Sequence, residues 1–147
     1  MESKQIIDTL NSLIEDRKDG EFGFRNTAEY ARTERLQQIL EARADDCLRA
    51  ARELQHCVAR LGGDTAPGAA CRGRMDVMGT LVGYSDLDML EEAERGEETA
   101  LARYREALER DLPAHVRVIV QRQYEGARRN HRQIRELRDQ QRRLVRS

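Results

Sequence analysis

The segment LDMLEEAERGEETALARYREAL, residues 87–108, combines a clear helical pattern with charge in an unusual place. Its positions at helical spacing on one face are Leu87, Leu90, Glu94, Glu97, Leu101, Tyr104 and Leu108. Two carboxylates therefore interrupt a face that otherwise suits a protein core. Because burying an unpaired carboxylate is strongly unfavourable, either Glu94 and Glu97 meet partners inside the fold or the helix turns so that water reaches them.

The rest of the sequence predicts further long helices around this segment. Charged residues make up 36% of the 147 residues and aromatic residues 4%, and runs of Glu, Arg, Gln, Ala and Leu favour helix. We predict one all-α domain over residues 1–147, a four-helix bundle. Its helices are expected at about 4–31, 33–61, 86–110 and 114–143. A short helix at about 71–82 is expected in the long crossover between the second and third helices.

The helix starts and turns have recognisable signals. Ser3, Thr33 and either Ser85 or Asp86 are suited to N-cap positions, and Gly62-Gly63 to the end of the second helix. Turns near residues 32 and 112 fold the chain into two hairpins. With a rise of about 1.5 Å per residue, these hairpins bring polar residues of all four helices to one level. The predicted polar core layer comprises Arg17, Glu21, Glu41, Arg43, Glu94, Glu97, Tyr104 and His131.

This polar layer has two main interpretations, which the sequence leaves open. As a metal site of the di-iron type, its ligands for iron or another divalent metal would be Glu21, Glu94, Glu97 and His131. The Glu-x-x-His spacing of such sites is absent. The residue three positions after Glu41 is Ala44 instead of a histidine, and the residue three positions before His131 is Arg128 instead of a glutamate. As a layer of salt bridges, Arg17 and Arg43 would satisfy the carboxylates directly. A pocket for another small molecule is the third alternative.

Charge is distributed unevenly along the second half of the chain. Residues 86–111 carry ten acidic and four basic side chains, whereas residues 112–147 carry ten arginines and three acidic side chains. This asymmetry favours an antiparallel helix pair with complementary charged flanks. The alternative is weak nucleic-acid binding through Arg128, Arg129, Arg132 and Arg135. Tyr124 is the only aromatic residue of this helix on which a base could stack, so nucleic acid is not the expected partner.

Several classes of function are disfavoured by what the sequence lacks. It has no apolar run of the roughly 18–20 residues that a membrane span needs, and no secretory signal. Cys47, Cys57 and Cys71 form an odd set without paired spacing, which favours free thiols and a cytoplasmic location. No phosphate-binding loop, nucleophile elbow or Cys-x-x-Cys motif occurs, so enzymatic activity is the less favoured hypothesis.

Three segments resemble a known family. LNSLIEDRKDGEFGFRNTAE in the first helix, AERGEETALARYREAL in the third and QRQYEGARRNHRQIRELRD in the fourth are similar to a bacterial family of ferritin-like four-helix-bundle proteins of unknown function. The resemblance spans roughly residues 5–139 and implies a ferritin-like fold and a cytoplasmic bacterial protein. It implies no activity. The missing Glu-x-x-His pairs argue against ferroxidase or oxygenase chemistry.

The leading functional hypothesis is a non-enzymatic structural or interaction protein, associated with stress and forming a homo-oligomer, with a protein partner that the sequence does not identify. Metal binding through the carboxylate and histidine residues is the first alternative, and nucleic-acid binding is the second.

Overall fold

The computed structural model describes residues 2–64 and 84–146. These residues form four helices: α1, Ser3–Tyr30; α2, Glu34–Arg60; α3, Asp86–Leu108; and α4, Ala114–Arg146. The described part of the chain contains no strand, and the predicted all-α, four-helix architecture is confirmed. The short helix predicted at about 71–82, and Cys71 with it, lie outside the described residues.

The helix ends follow the capping signals in the sequence with one exception. The hydroxyl oxygens of Thr33 and Ser85 accept hydrogen bonds from the backbone N–H three residues later, at 3.3 and 3.2 Å. Gly62, with φ of +82°, adopts the left-handed conformation after α2. The prediction for α1 was wrong by one residue, because Glu2 rather than Ser3 is the N-cap and its N–H donates to the Gln5 side chain at 3.3 Å.

The directions of the helices follow from the contacts between them. α1 packs antiparallel to both α2 and α3, and α4 packs antiparallel to α3 and α2. Consequently α2 and α3 run in the same direction. The end of α2 and the beginning of α3 lie at opposite ends of the bundle, where Asp64 accepts a hydrogen bond from Asn11 and Asp86 accepts one from Arg32.

The apolar core is divided into two clusters along the bundle axis. The first contains the N-terminal half of α1 and the C-terminal half of α2, with Ile14, Leu54, Leu101 and Val120 among its members. The second contains the opposite halves of these helices. Between the clusters lie buried polar residues, one or two from each of α1, α3 and α4: Arg17, Glu94, Glu97 and His131.

Two helical glycines offer a test of this packing. An added Cβ at Gly96 meets nothing within 4 Å, so Gly96→Ala is expected to raise the free energy of unfolding by about 0.5–1 kcal/mol through helix propensity. A Cβ at Gly20 would lie 3.0 Å from Sγ of the buried Cys47. Gly20→Ala is therefore expected to raise the free energy of unfolding by less than Gly96→Ala does, or to lower it. Urea unfolding of both variants provides the comparison, and equal gains would contradict the close packing of Gly20 on Cys47.

Candidate functional site

Arg17 is the buried cation of the polar layer. Its side chain is 8% exposed, and Nη2 forms a 2.8 Å ion pair with Asp16. Nη1 lies 3.5 Å from Sγ of Cys47, and the guanidinium stacks 5.5 Å from the ring centroid of Tyr104. Nε is buried without a hydrogen-bond partner among the described residues. The guanidinium is therefore held in place on three sides while one donor stays unused.

Glu97 is the most buried acid of the layer. Only 2% of the residue is exposed, and Oε2 has no hydrogen-bond partner in the described part of the chain. Burial raises the pKa of the carboxyl group from 4.5 to about 7, and the nearby Arg17 and Arg43 oppose this rise. Near neutral pH, Glu97 therefore exchanges between its protonated and ionised forms.

Tyr104 connects α3 to the other helices through one glutamine. Its hydroxyl donates a 2.9 Å hydrogen bond to Oε1 of Gln123 on α4. Nε2 of Gln123 donates in turn to Oε1 of Glu53 on α2, at 2.7 Å. The ring is almost fully buried, and this burial raises the pKa of the phenol. Tyr104 thus contacts Arg17 with its ring and Gln123 with its hydroxyl group.

Arg43 joins α2 to α4. Its Nη1 donates to the side chains of Asn130 and Gln133, the second at 3.1 Å, and Nη2 forms a 3.2 Å ion pair with Asp46. Its side chain is 16% exposed, so it covers the layer from one side. Arg43 does not form an ion pair with Glu97 in this structure.

Two predicted members lie apart from the layer. Glu41 is exposed, and its predicted place in the core is wrong, because it follows the buried Leu40 directly and a one-residue step turns it to solvent. Glu21 is partly buried and forms a 2.9 Å ion pair with Arg25, four residues along the same helix. The carboxylate of Glu21 therefore has a partner within α1.

Glu94 and Glu98 of α3 come together with His131 of α4. One ligand atom from each lies within 4.8 Å of the others. Nε2 of His131 is 3.6 Å from Oε1 of Glu98, too long for a hydrogen bond, and it is buried without a partner among the described residues. Glu94 also pairs with Arg138 on α4. This is the one such three-residue group found in residues 2–64 and 84–146.

The structure therefore regroups the residues that the sequence singled out. It brings Glu94 and His131 together, and it separates them from Glu21 and from Glu97, which faces Arg17. Glu98 was missed because it is exposed and lies beside the apolar stripe instead of on it. The signal available in the sequence was the spacing of four residues between Glu94 and Glu98, which places two carboxylates on one helical face.

The ligand set suits a divalent transition metal. Ligand atoms around one tetrahedral Zn²⁺ lie roughly 3.3 Å apart, since zinc bonds to nitrogen and oxygen are about 2.0–2.1 Å long. The distance of 3.6 Å between His131 and Glu98 approaches this separation. The unused Nε2 of His131 is a ligand atom with no competing hydrogen bond among the described residues, so the donor set fits an imidazole–carboxylate site.

The sequence belongs to the family described as Domain of unknown function (DUF2383), whose model matches residues 5–110. This match covers α1, α2 and α3 and supplies no activity. Among curated proteins, none matches the chain.

Similarity to a solved structure shows that the fold is ferritin-like. A mutant of Dps1 from Mycobacterium smegmatis superposes with a TM-score of 0.76, over 92% of this chain and 96% of that chain. Sequence identity is 10%, so the comparison concerns the fold alone. It confirms the predicted ferritin-like bundle, whereas the predicted bacterial origin and cytoplasmic location stay predictions. No described helix is both long and apolar enough to cross a membrane.

Glu97 makes the stability of the protein dependent on pH. Its folded pKa of about 7 lies above the unfolded value of 4.5, so its contribution is fully present below pH 4.5 and is lost as the pH rises through 7. The loss amounts to about 3 kcal/mol. We expect Glu97→Gln to remove this part of the pH dependence, as measured by urea unfolding at pH 5 and pH 8 in the presence of a chelator.

The matched control is Glu106→Gln, an exposed glutamate on the same helix. This variant should follow the wild-type protein at both pH values. A Glu97→Gln variant with the same pH dependence as the wild type would show that the Glu97 carboxyl titrates normally.

Proposed function

We propose that this protein binds a single divalent transition metal ion per chain through Glu94, Glu98 and His131. The observation that carries the proposal is the buried Nε2 of His131, which has no hydrogen-bond partner in the described residues and lies 3.6 Å from Oε1 of Glu98, in a group that also includes Glu94. Three protein ligands leave coordination positions for water or another ligand. Zn²⁺, Fe²⁺ and Mn²⁺ all accept this mixture of nitrogen and oxygen ligands.

Arg138 acts as an outer partner of this site. It pairs with Glu94 and with Asp139, the second at 3.0 Å, and so keeps the Glu94 side chain in place between α3 and α4. The Arg138 charge also competes with a metal for Glu94, so it lowers the affinity for the ion. Glu98 is 56% exposed at the side chain, which gives the ion a path from solvent.

This proposal differs from the di-metal site that was one alternative interpretation of the sequence. A single metal needs neither Glu21 nor Glu97, and no bridging carboxylate is required. Its chemistry is binding, and we assign no redox step to it. The protein supplies a site on two packed helices, in which the position of His131 is set by the burial of α4 against α3.

The test is zinc binding by the chelator-treated protein, measured by isothermal titration calorimetry and elemental analysis. We expect one Zn²⁺ per chain in the wild type. His131→Asn and Glu98→Gln each remove a ligand and are expected to weaken binding by at least about 100-fold, more than is typical for the loss of an outer partner.

Glu21→Gln is the control, because Glu21 lies in an ion pair on α1 and was a ligand only in the prediction from sequence. It should bind zinc as the wild type does. Absence of bound metal in the wild type, or binding that survives the loss of His131, would contradict the proposal.

Assembly into a homo-oligomer with a structural role is a second candidate function. Supporting it, Leu144 and Val145 at the end of α4 are 69% and 62% exposed, and such apolar side chains are suited to a contact between chains. This function does not require the metal site. It corresponds to the structural and interaction role predicted from the sequence.

We expect Val145→Ser to shift the protein toward smaller species in light scattering after size-exclusion chromatography, because it removes apolar surface from this contact. Val118→Ser is the control, since Val118 is 65% exposed but lies near the other end of α4. A monomeric wild type, or equal shifts in both variants, would contradict a contact at the end of α4.

A further inference from the structure

A cleft opens between α2 and α4, and its lining does not include Glu98. Its volume is about 500 Å³, within the range of small-molecule sites. The bottom is formed by buried residues of the polar layer, Arg17, Glu97 and Tyr104. Gly126 on α4 contributes to one wall, and the absence of a side chain there keeps the cleft open.

Two of the residues at the bottom of the cleft have hydrogen-bonding atoms that are not used. Oε2 of Glu97 and Nε of Arg17 are both buried, and neither has a partner in the described part of the protein. Leaving such atoms unpaired costs about 1–3 kcal/mol each, so a ligand that reaches them gains affinity. A hydroxyl group has the chemistry that suits both residues, because it can donate to a carboxylate such as Glu97 and accept from a guanidinium such as Arg17. An ammonium group is disfavoured by the charge of Arg17.

The mouth of the cleft carries surplus positive charge. Arg49 pairs with Asp46, and Arg122 pairs with Glu53. Arg129 lines the same mouth and has no ion-pair partner in residues 2–64 and 84–146. The exposed guanidinium of Arg129 can therefore bind one carboxylate group of a ligand, to which arginine donates two parallel hydrogen bonds.

We propose that this cleft binds a small hydroxylated carboxylate, such as a sugar acid, with its carboxylate at Arg129 and a hydroxyl group between Glu97 and Arg17. The site is separate from the proposed metal site, and its occupation requires no metal. It uses the polar layer as the recognition surface for the hydroxyl group. The two ends of the ligand thus meet the two unsatisfied parts of the cleft.

Three probes of similar length test the two ends separately, in chelator-treated protein and by isothermal titration calorimetry. Gluconate carries both the carboxylate and the hydroxyl groups, sorbitol lacks the carboxylate, and hexanoate lacks the hydroxyl groups. We expect gluconate to bind once per chain and more tightly than either of the others. No binding of gluconate at millimolar concentration, or equal binding of sorbitol or hexanoate, would overturn the proposal.

Variants locate the binding in the cleft. Gly126→Leu fills the space and is expected to abolish gluconate binding, whereas Gly126→Ala adds only a Cβ, whose nearest neighbour is Nη2 of Arg129 at 3.6 Å, and should retain it. Arg129→Gln is expected to weaken binding on the order of tenfold through loss of a charge-assisted contact. Because Arg129 is exposed, this variant should fold even if Gly126→Leu does not. Unchanged affinity in Arg129→Gln would refute the assigned orientation.

Discussion

The burial of Glu97 beside Arg17 is the constraint on which the rest of the structure depends. Neither residue belongs in an apolar core, and together they divide that core into two clusters along the bundle. The layer is stabilised by groups from all four helices: Asp16, Cys47, Tyr104 and Gln123 contact Arg17 or extend its network. Glu97 has no ion-pair partner within 4 Å among the described residues. Its burial is therefore the largest influence on the pKa of its carboxyl group, which it raises.

Neighbouring acids on α3 lie on two different faces of the helix. Glu94 and Glu98 turn toward His131 on α4, whereas Glu97 turns toward α1 and the cleft between α2 and α4. A helix separates residues at positions 97 and 98 by about 100°, so these adjacent acids face different groups of residues. The ferritin-like fold alone assigns neither function, since function depends on the site and not on the fold.

The helical pattern of the sequence was sufficient to predict the architecture. Apolar spacing and the caps at Thr33 and Ser85 gave the four helices, and the charged interruption at Glu94 and Glu97 gave the polar layer. Counting residues from each turn gave only the level of a side chain along the bundle. It did not give its direction around the helix, which is why Glu41 was misplaced and Glu98 was missed. Glu21 forms an ion pair with Arg25 within α1, and this local pairing competes with the contacts to other helices that the sequence-based prediction assumed.

The most direct test of this account is the pKa of the Glu97 side chain, measured by carbon-13 NMR titration of its carboxyl resonance in chelator-treated protein, with Glu97→Gln used to assign the signal. The account predicts a value of about 7, because the carboxyl group is buried between two apolar clusters without an ion-pair partner in the described residues. A value near 4.5 would contradict it, since that result would mean that burial does not desolvate the Glu97 carboxyl group and that this group is hydrated like one on the protein surface.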